Sequence, residues 1–195
     1  MTYKILPRTF YDQPTLELAQ SLLGKTLVHE TSEGVTAGYI VETEAYKGPD
    51  DQAAHSFNNR RTNRTEIMFG ANGHCYAHVM HTHCLINVVS GGEGCPEGVL
   101  IRAVEPIEGI PLMYKRREKA KRDRDLTSGP GKLTKALAIT KEDYGKAFWE
   151  PPLYIAEGQK VVHVSTGPRI GIDNSGEAKD YPWRFWETGN PYVSK

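Results

Sequence analysis

The sequence has no excess of either charge, few cysteines and no long apolar run. Its 195 residues carry 24 Lys and Arg against 24 Asp and Glu, which excludes a globally basic nucleic-acid binder but leaves room for a local basic face. The three cysteines are odd in number and lack the spacing of a disulfide framework, so we expect no disulfide scaffold. No segment approaches the ~20 apolar residues of a membrane span, and no secretory signal is evident. We therefore expect a cytoplasmic protein (in a bacterium, of the nucleoid) or a nuclear one, not secreted and without a membrane partner.

Turn residues and apolar periodicity predict a single α+β domain over 1–195. The 19 glycines and 12 prolines indicate many turns and short strands. Several hairpins and segregated helices favour a curved, largely antiparallel, open barrel-like sheet with a protruding β-hairpin and flanking helices. The predicted helices cover 14–23, 107–122 and 132–139, and the predicted strands cover 25–29, 38–46, 75–80, 83–89, 99–104, 153–155, 160–165 and 169–172.

Two glutamates and a tyrosine alternate along the strand predicted over 38–46. Successive side chains of a strand point to opposite faces, so we expect Glu42, Glu44 and Tyr46 on one face. Two carboxylates there could act as acid and base, or as a base and its structural partner. A half-solvated strand face without chemistry is the alternative that the pattern leaves open.

Arg102 interrupts the apolar strand predicted over 99–104. A buried guanidinium needs an anionic partner, and Glu42 or Glu44 could supply one. Such a pair could hold a water molecule or an anion. If the strand lies at an edge of the sheet, Arg102 instead points into solvent.

Four of the seven histidines fall within ten residues, interleaved with two cysteines. Imidazole and thiolate both suit zinc, so a metal-dependent hydrolase on this hairpin is one hypothesis. The spacing argues against it, because the predicted hairpin separates its histidines and no H-E-x-x-H or C-x-x-C pattern is present. We therefore expect no metal at His74, Cys75, His78, His81, His83 and Cys84.

Positive charge is concentrated in two segments. Residues 115–124 carry seven Lys and Arg against one Glu and one Asp, and a polar loop adds Arg60, Arg61 and Arg64. Such patches can neutralise phosphates, although a charge run is usually a solvated face. Lys132 follows a Gly-Pro-Gly turn at the start of a predicted helix, where backbone N–H groups favour an anion. These cations are the candidates for contacts to a phosphate backbone.

Blocks of residues then follow one another in an order typical of one enzyme family. The longest is VETEAYKGPDDQAAHS at 41–56, and its length makes chance a poor explanation. The others lie at 68–69, 87, 99–106, 123–133, 168–172, 182–185 and 189–194. Together they resemble the alkyladenine (3-methyladenine) DNA glycosylases over nearly the whole chain.

The resemblance implies a monofunctional glycosylase of base excision repair, with duplex DNA as partner and no metal, nicotinamide or Schiff-base lysine. Its substrates would be alkylated or deaminated purines of the 3-methyladenine, hypoxanthine and ethenoadenine class, flipped from the helix so that the N-glycosidic bond becomes reachable. The general base falls on Glu44, which would activate a water for attack on C1′. Arg102 and the backbone carbonyl of Ile170 match groups that hold this water. Nothing in the sequence forces an assembly, so we expect a monomer.

The same resemblance assigns the base-binding and phosphate-binding positions. Tyr46 and His55 match residues that sandwich and read the flipped base, and Tyr76 and His78 are further candidates for base binding. Asn87 matches the side chain that gates exocyclic groups. Lys132 matches a phosphate contact, and Arg60 and Arg64 are further candidates for contact with DNA.

The hairpin departs from the family pattern. Members commonly have Tyr-x-Tyr-x-x-Tyr-Gly-Met before the asparagine, whereas this chain has YAHVMHTH from Tyr76 and is one residue shorter. His78 then replaces a stacking tyrosine, and Met80 or His81 replaces the tyrosine wedge that fills the gap after flipping. A lesion-binding module whose altered hairpin has lost catalysis is therefore an alternative hypothesis.

Overall fold

The computed structural model describes residues 2–194. Within this range an antiparallel sheet of eight strands curls into a half-barrel, with four short α-helices packed on it. The strands are β1 (Thr26–Thr31), β2 (Gly34–Tyr46), β3 (Cys75–Met80), β4 (His83–Ser90), β5 (Glu97–Glu108), β6 (Leu153–Ala156), β7 (Val164–Gly167) and β8 (Arg184–Glu187). The helices are α1 (Thr15–Ser21), α2 (Ile110–Arg116), α3 (Asp123–Thr127) and α4 (Pro130–Ala136).

The long strand β2 is the axis of the sheet. The strand order is β3-β4-β5-β2-β1-β6, and β8 pairs with both β2 and β7. The first half of β2 pairs with β1, whereas its second half pairs with β8. Strand β5 pairs with β2 along most of its length, so side chains of the two strands lie next to one another from the core to one end of the sheet.

The core lies between the sheet and the helices. Helix α1 begins after Pro14, which is suited to a helix start, and buries Leu18 and Ala19. Gly24 follows at φ +79°, where a Cβ would lie 2.3 Å from the carbonyl oxygen of Gln159, so only glycine permits this close approach. In the described part of the chain, every helix is too short or too polar to span a bilayer.

Strands β3 and β4 form the predicted hairpin. Met80 pairs with His83, which leaves a two-residue turn at His81 and Thr82. His81 adopts φ 55°, as tight hairpin turns require. Val79 and Met80 are half exposed near this turn, although large apolar side chains are usually buried.

The structure confirms the predicted α+β architecture and corrects several element bounds. The helix expected over 107–122 is shorter, because β5 continues to Glu108 and α2 ends at Arg116. Residues 118–122 offer only Ala120 as an apolar side chain and could not bury a helix face. The strand expected over 160–165 lies instead at Val164–Gly167, and 169–172 is a loop rather than a strand. The four-residue strand β8 was not predicted, because it is too short to show an alternating pattern.

Candidate active site

A pocket of about 160 Å³ opens beside the end of β2. It lies between the β3–β4 hairpin, the start of α4 and the loop over 169–172. Apolar side chains such as Met68, Leu85 and Leu100 form part of its wall. The structure also brings together eight of the residues predicted from the sequence, namely Tyr46, His55, Tyr76, His78, Met80, Asn87, Arg102 and Ile170.

A larger and more open groove of about 540 Å³ lies elsewhere, along residues 12–17. Its lining includes Asn72, Gly91 and Glu97, and none of the predicted site residues. We place the site in the smaller pocket because that pocket is lined by the partners of a buried carboxylate.

That carboxylate is Glu44, whose side chain is fully buried. The Tyr46 hydroxyl donates to Oε2 at 2.8 Å, and the Ile170 backbone amide donates to Oε1 at 2.8 Å. Nη1 of Arg102 lies 3.3 Å from Oε1. Burial raises the pKa of Glu44, while Arg102, the Ile170 amide and the Tyr46 hydroxyl favour the charged form and oppose that rise. A carboxylate whose pKa is shifted towards neutrality is suited to accept a proton from water.

An irregularity in the β2–β5 ladder presents Arg102 to two carboxylates. Ile40 pairs with Val104 and the next paired residue, Glu42, faces Ala103, so Val41 has no partner across the strands. Thr43 then faces Ile101, which leaves Arg102 without a partner in the same way. Such bulges often re-aim a side chain next to an active site. Here Arg102 is nearly buried and contacts both Glu42 and Glu44, so it does not point into solvent.

Aromatic side chains form one wall of the pocket. Tyr76 and His78 stack with ring centroids 4.9 Å apart, and His55 meets the edge of His78 at 4.7 Å. Nδ1 of His55 lies 2.8 Å from the Tyr76 hydroxyl. Burial lowers the pKa of His55 to about 4 and the pKa of His78 to about 3, and nearby Arg64 adds to both shifts. Both imidazoles are therefore neutral at neutral pH.

His78 leaves one polar atom of this wall without a partner. The Asn87 Nδ2 amide faces the Tyr76 carbonyl at 3.4 Å and Nδ1 of His78 at 3.4 Å. Because an amide nitrogen only donates, Nδ1 accepts and the proton of the neutral ring lies on Nε2. Nε2 is buried and has no hydrogen-bond partner among residues 2–194. An unpaired buried donor is costly unless a ligand supplies the acceptor.

Sequence reasoning missed a buried ion pair behind Tyr46. Both nitrogens at the end of Arg169 contact the Asp51 carboxylate, at 2.5 and 2.8 Å, and both side chains are fully buried. The guanidinium also lies over the Tyr46 ring, 4.6 Å from its centroid. Asp51 and Arg169 both fall in the sequence blocks at 41–56 and 168–172, which was the available signal. The pair anchors the loop that carries Ile170.

The predicted cations differ in their partners. The side chains of Arg60 and Arg64 are exposed and make no hydrogen bond or ion pair within the described range, and both lie near enough to lower the pKa of His55. Lys132 is also exposed and only approaches Ser128 Oγ, at 3.5 Å. By contrast, Lys115 and Arg116 both contact Glu33.

The hairpin does not gather its histidines. His74 packs against Trp149 and contacts the Ala71 carbonyl, whereas His78 lies in the pocket. Over residues 2–194, no three His, Cys, Asp or Glu side chains converge as metal ligands would. The hypothesis of a metal-dependent hydrolase on this hairpin therefore has no ligand set in the described structure.

Comparisons with known proteins identify the family. The model of the methylpurine-DNA glycosylase family matches residues 9–191. The chain belongs to this family. It is 65% identical over 190 residues to a protein of Bacillus licheniformis, covering 97% of this chain and 96% of that protein. The identity is 63% over 190 residues with a protein of Bacillus subtilis, with the same coverage, and 47% over 192 residues with one of Shouchella clausii, covering 98% and 96%.

All three relatives are provisionally named 3-methyladenine DNA glycosylases. Membership of the methylpurine-DNA glycosylase family makes this chain a DNA glycosylase, a hydrolase of N-glycosyl bonds that acts in DNA repair. The resemblance noted in the sequence is thereby confirmed.

Proposed function

We propose that this enzyme excises 3-methyladenine and related damaged purines, flipped from duplex DNA into the pocket lined by Tyr46 and His78. The observation that carries the proposal is Glu44, a fully buried carboxylate whose partners Tyr46, Arg102 and Ile170 all line that pocket. A base inside an intact duplex could not reach such a carboxylate, so base flipping is part of the proposal.

Glu44 acts as the general base in this mechanism. A water oxygen forms a bond to C1′, the water proton passes to the Glu44 carboxylate, and the bond between C1′ and the purine nitrogen breaks with its electron pair leaving on the base. The products are a free purine and an abasic site. The negative charge of Glu44 also stabilises the positive charge that develops on the sugar.

Arg102 and Ile170 hold the attacking water. Arg102 is fixed beside Glu44, with Nη1 3.3 Å from Oε1, so a water beside the pair can donate to Glu44 and accept from Arg102. The Ile170 carbonyl receives no hydrogen bond from any residue in the range 2–194, and is free to accept one from this water. The Ile170 amide meanwhile holds Oε1 of Glu44.

The aromatic wall favours an electron-poor base. A purine alkylated on a ring nitrogen carries positive charge while it is joined to the sugar, and such a ring is attracted to aromatic faces. Tyr46, Tyr76, His55 and His78 supply those faces, and the depressed pKa values of the two histidines prevent them from repelling a cation. Asn87 gates the exocyclic groups. Neutral lesions, of the hypoxanthine and ethenoadenine class, lack this attraction and are expected to be slower substrates.

Three exposed cations and the hairpin turn make the contacts to the duplex. Arg60, Arg64 and Lys132 bind phosphates. Met80 or His81, at the turn of the β3–β4 hairpin, occupies the gap that the flipped nucleotide leaves. Met80 is the better placed of the two, because an apolar side chain that is 44% exposed loses unfavourable contact with water when it enters the base stack.

The experiment is base release from duplex oligonucleotides that each contain one lesion: an alkylated adenine, hypoxanthine or ethenoadenine. Wild-type enzyme, Glu44→Gln and the exposed control Glu93→Gln are compared under single turnover, and DNA binding is measured separately. We expect release by the wild type and the control, and loss of at least about 100-fold in Glu44→Gln with binding retained. Release by Glu44→Gln at the wild-type rate would refute this mechanism. Lesion binding without release by the wild type would favour the binding-module hypothesis that the altered hairpin raises.

A further inference from the structure

The guanidinium of Arg102 is held from three sides. Nη1 faces Glu44 Oε1 at 3.3 Å, and Nε donates to Glu42 Oε1 at 3.1 Å. The third nitrogen, Nη2, donates to Oγ of Ser194 at 3.3 Å. Ser194 is buried and lies 92 positions away from Arg102 in the sequence.

The Ser194 hydroxyl joins Arg102 to Glu42. It accepts from Nη2 of Arg102 and donates to Oε1 of Glu42 at 2.9 Å, while the Ser194 amide donates to Oε2 of Glu42 at 2.7 Å. Glu42 is fully buried, and both of its carboxylate oxygens thereby accept a hydrogen bond from Ser194. Arg184 donates to Glu42 Oε1 at 2.6 Å and to the Ser194 carbonyl at 3.1 Å. Two guanidiniums thus share one carboxylate, and Ser194 bonds to all three groups.

A folded-back segment delivers Ser194 to this place. Nδ2 of Asn190 donates to Glu105 on β5 and to Glu187 on β8, each at 2.9 Å. The Tyr192 backbone amide donates a hydrogen bond to Oδ1 of Asn190 at 2.9 Å. The segment is therefore fastened to both strands beside the site before it reaches Ser194.

We propose that Ser194 is a positioning residue for glycosidic hydrolysis: bonded to both Arg102 and Glu42, it holds the Arg102 guanidinium at the orientation that serves Glu44 and the attacking water. The proposal rests on the roles of Glu44 and Arg102 proposed above. Arginine has a long, flexible stem, and only bonds at its end fix the plane of the guanidinium. Bonds to Glu44 and Glu42 alone leave Nη2 unpaired, so the group can tilt away from the water. A small displacement of such a group is costly for catalysis.

The pKa of Glu44 depends on the charges around it, so it provides a measurement that a purely structural role of Ser194 would not change. Arg102 from β5, the Ile170 amide from the loop and the Tyr46 hydroxyl on its own strand favour the carboxylate, whereas burial and Glu42 oppose it. If Arg102 tilts away, the pKa of Glu44 rises and the acidic limb of the rate profile moves to higher pH. A loss of folded protein lowers the rate at every pH instead.

The test compares single-turnover base release across pH for the wild type, Ser194→Ala, Ser194→Thr and Glu44→Gln. The matched control is Ser165→Ala on β7, which lies on the side of β8 away from β2; it removes a partly exposed serine hydroxyl bonded to Thr188. We expect Ser194→Ala to lower the maximal rate about 10-fold and to move the acidic limb upward, with affinity for lesion DNA unchanged. Ser194→Thr keeps the hydroxyl and should restore most of the rate, and Ser165→Ala should match the wild type. Asn190→Ala, which loosens the segment without touching Arg102, should shift the limb in the same direction if Ser194→Ala does not fold.

Three results would overturn the proposal. A wild-type rate and pH profile in Ser194→Ala, with Glu44→Gln inactive, would remove the role of Ser194 and leave the role of Glu44 standing. A rate that falls only with the folded fraction, its acidic limb unmoved, would make Ser194 structural. Activity in Glu44→Gln would remove the proposed mechanism and this inference together.

Discussion

The backbone amide of Ile170 donates a hydrogen bond to Oε1 of Glu44 at 2.8 Å, although the two residues are 126 positions apart. The preceding residue, Arg169, is locked to Asp51 by a buried bidentate ion pair. The loop over 169–172 therefore cannot move without disturbing the carboxylate. In the proposed mechanism this coupling makes the position of the loop matter for Glu44 as the general base.

Tyr46→Phe is expected to move the acidic limb of the pH–rate profile to higher pH. In the proposed mechanism Glu44 acts as the carboxylate, so the rate is lost as pH falls through its pKa, which burial already raises. The Tyr46 hydroxyl bond favours the charged form, and its removal raises the pKa of Glu44 further. Single-turnover base release across pH measures the shift. Tyr39→Phe, on the same strand but outside the pocket, is the control, and a profile of Tyr46→Phe that overlays it would contradict the prediction.

His78→Phe is expected to change the ranking of lesions rather than abolish activity. Phenylalanine keeps the aromatic face beside Tyr76 but removes the unpartnered Nε2 donor. Hypoxanthine offers a carbonyl oxygen where 3-methyladenine has an amino group, so we expect hypoxanthine release to fall about 10-fold and 3-methyladenine release to change less than about 3-fold. Competition between the two oligonucleotides measures the ratio. An equal loss on both lesions would mean that Nε2 does not read the base.

Asp51→Asn is expected to lower the free energy of unfolding by about 3 kcal/mol, because it leaves the Arg169 guanidinium buried without a counter-charge. Denaturant unfolding at neutral pH measures the change. Asp50→Asn, at the adjacent exposed position, is the matched control and should stay within about 0.5 kcal/mol of the wild type. Equal stability of the two variants would show that the ion pair is dispensable.

Arg60→Ala combined with Arg64→Ala is expected to weaken DNA binding and flatten its salt dependence. Each lost phosphate contact lowers the slope of log affinity against log salt by about 1. Binding to lesion-containing duplexes at several salt concentrations gives the slope. Lys115→Ala is the control, because Lys115 contacts Glu33 instead of standing free. A slope that is unchanged in the double variant would place these arginines away from the DNA.

The sequence by itself determined the fold class, the family and most of the pocket. The periodicity of 38–46 put Glu42, Glu44 and Tyr46 on one face, and the short His81-Thr82 turn identified the hairpin. These features are local: side-chain alternation and turn chemistry depend on a few neighbouring residues. The long block at 41–56 added the family without any reference to shape.

Only the tertiary structure decided which charged groups contact one another. A bulge in two paired strands turns Arg102 to both carboxylates, and a loop that was expected to be a strand supplies the Ile170 amide. Ser194 reaches Glu42 across 152 positions. No local pattern encodes such contacts, because a buried charge selects its partners from whatever the whole fold brings within hydrogen-bond distance, and an unpaired one would be too costly to bury.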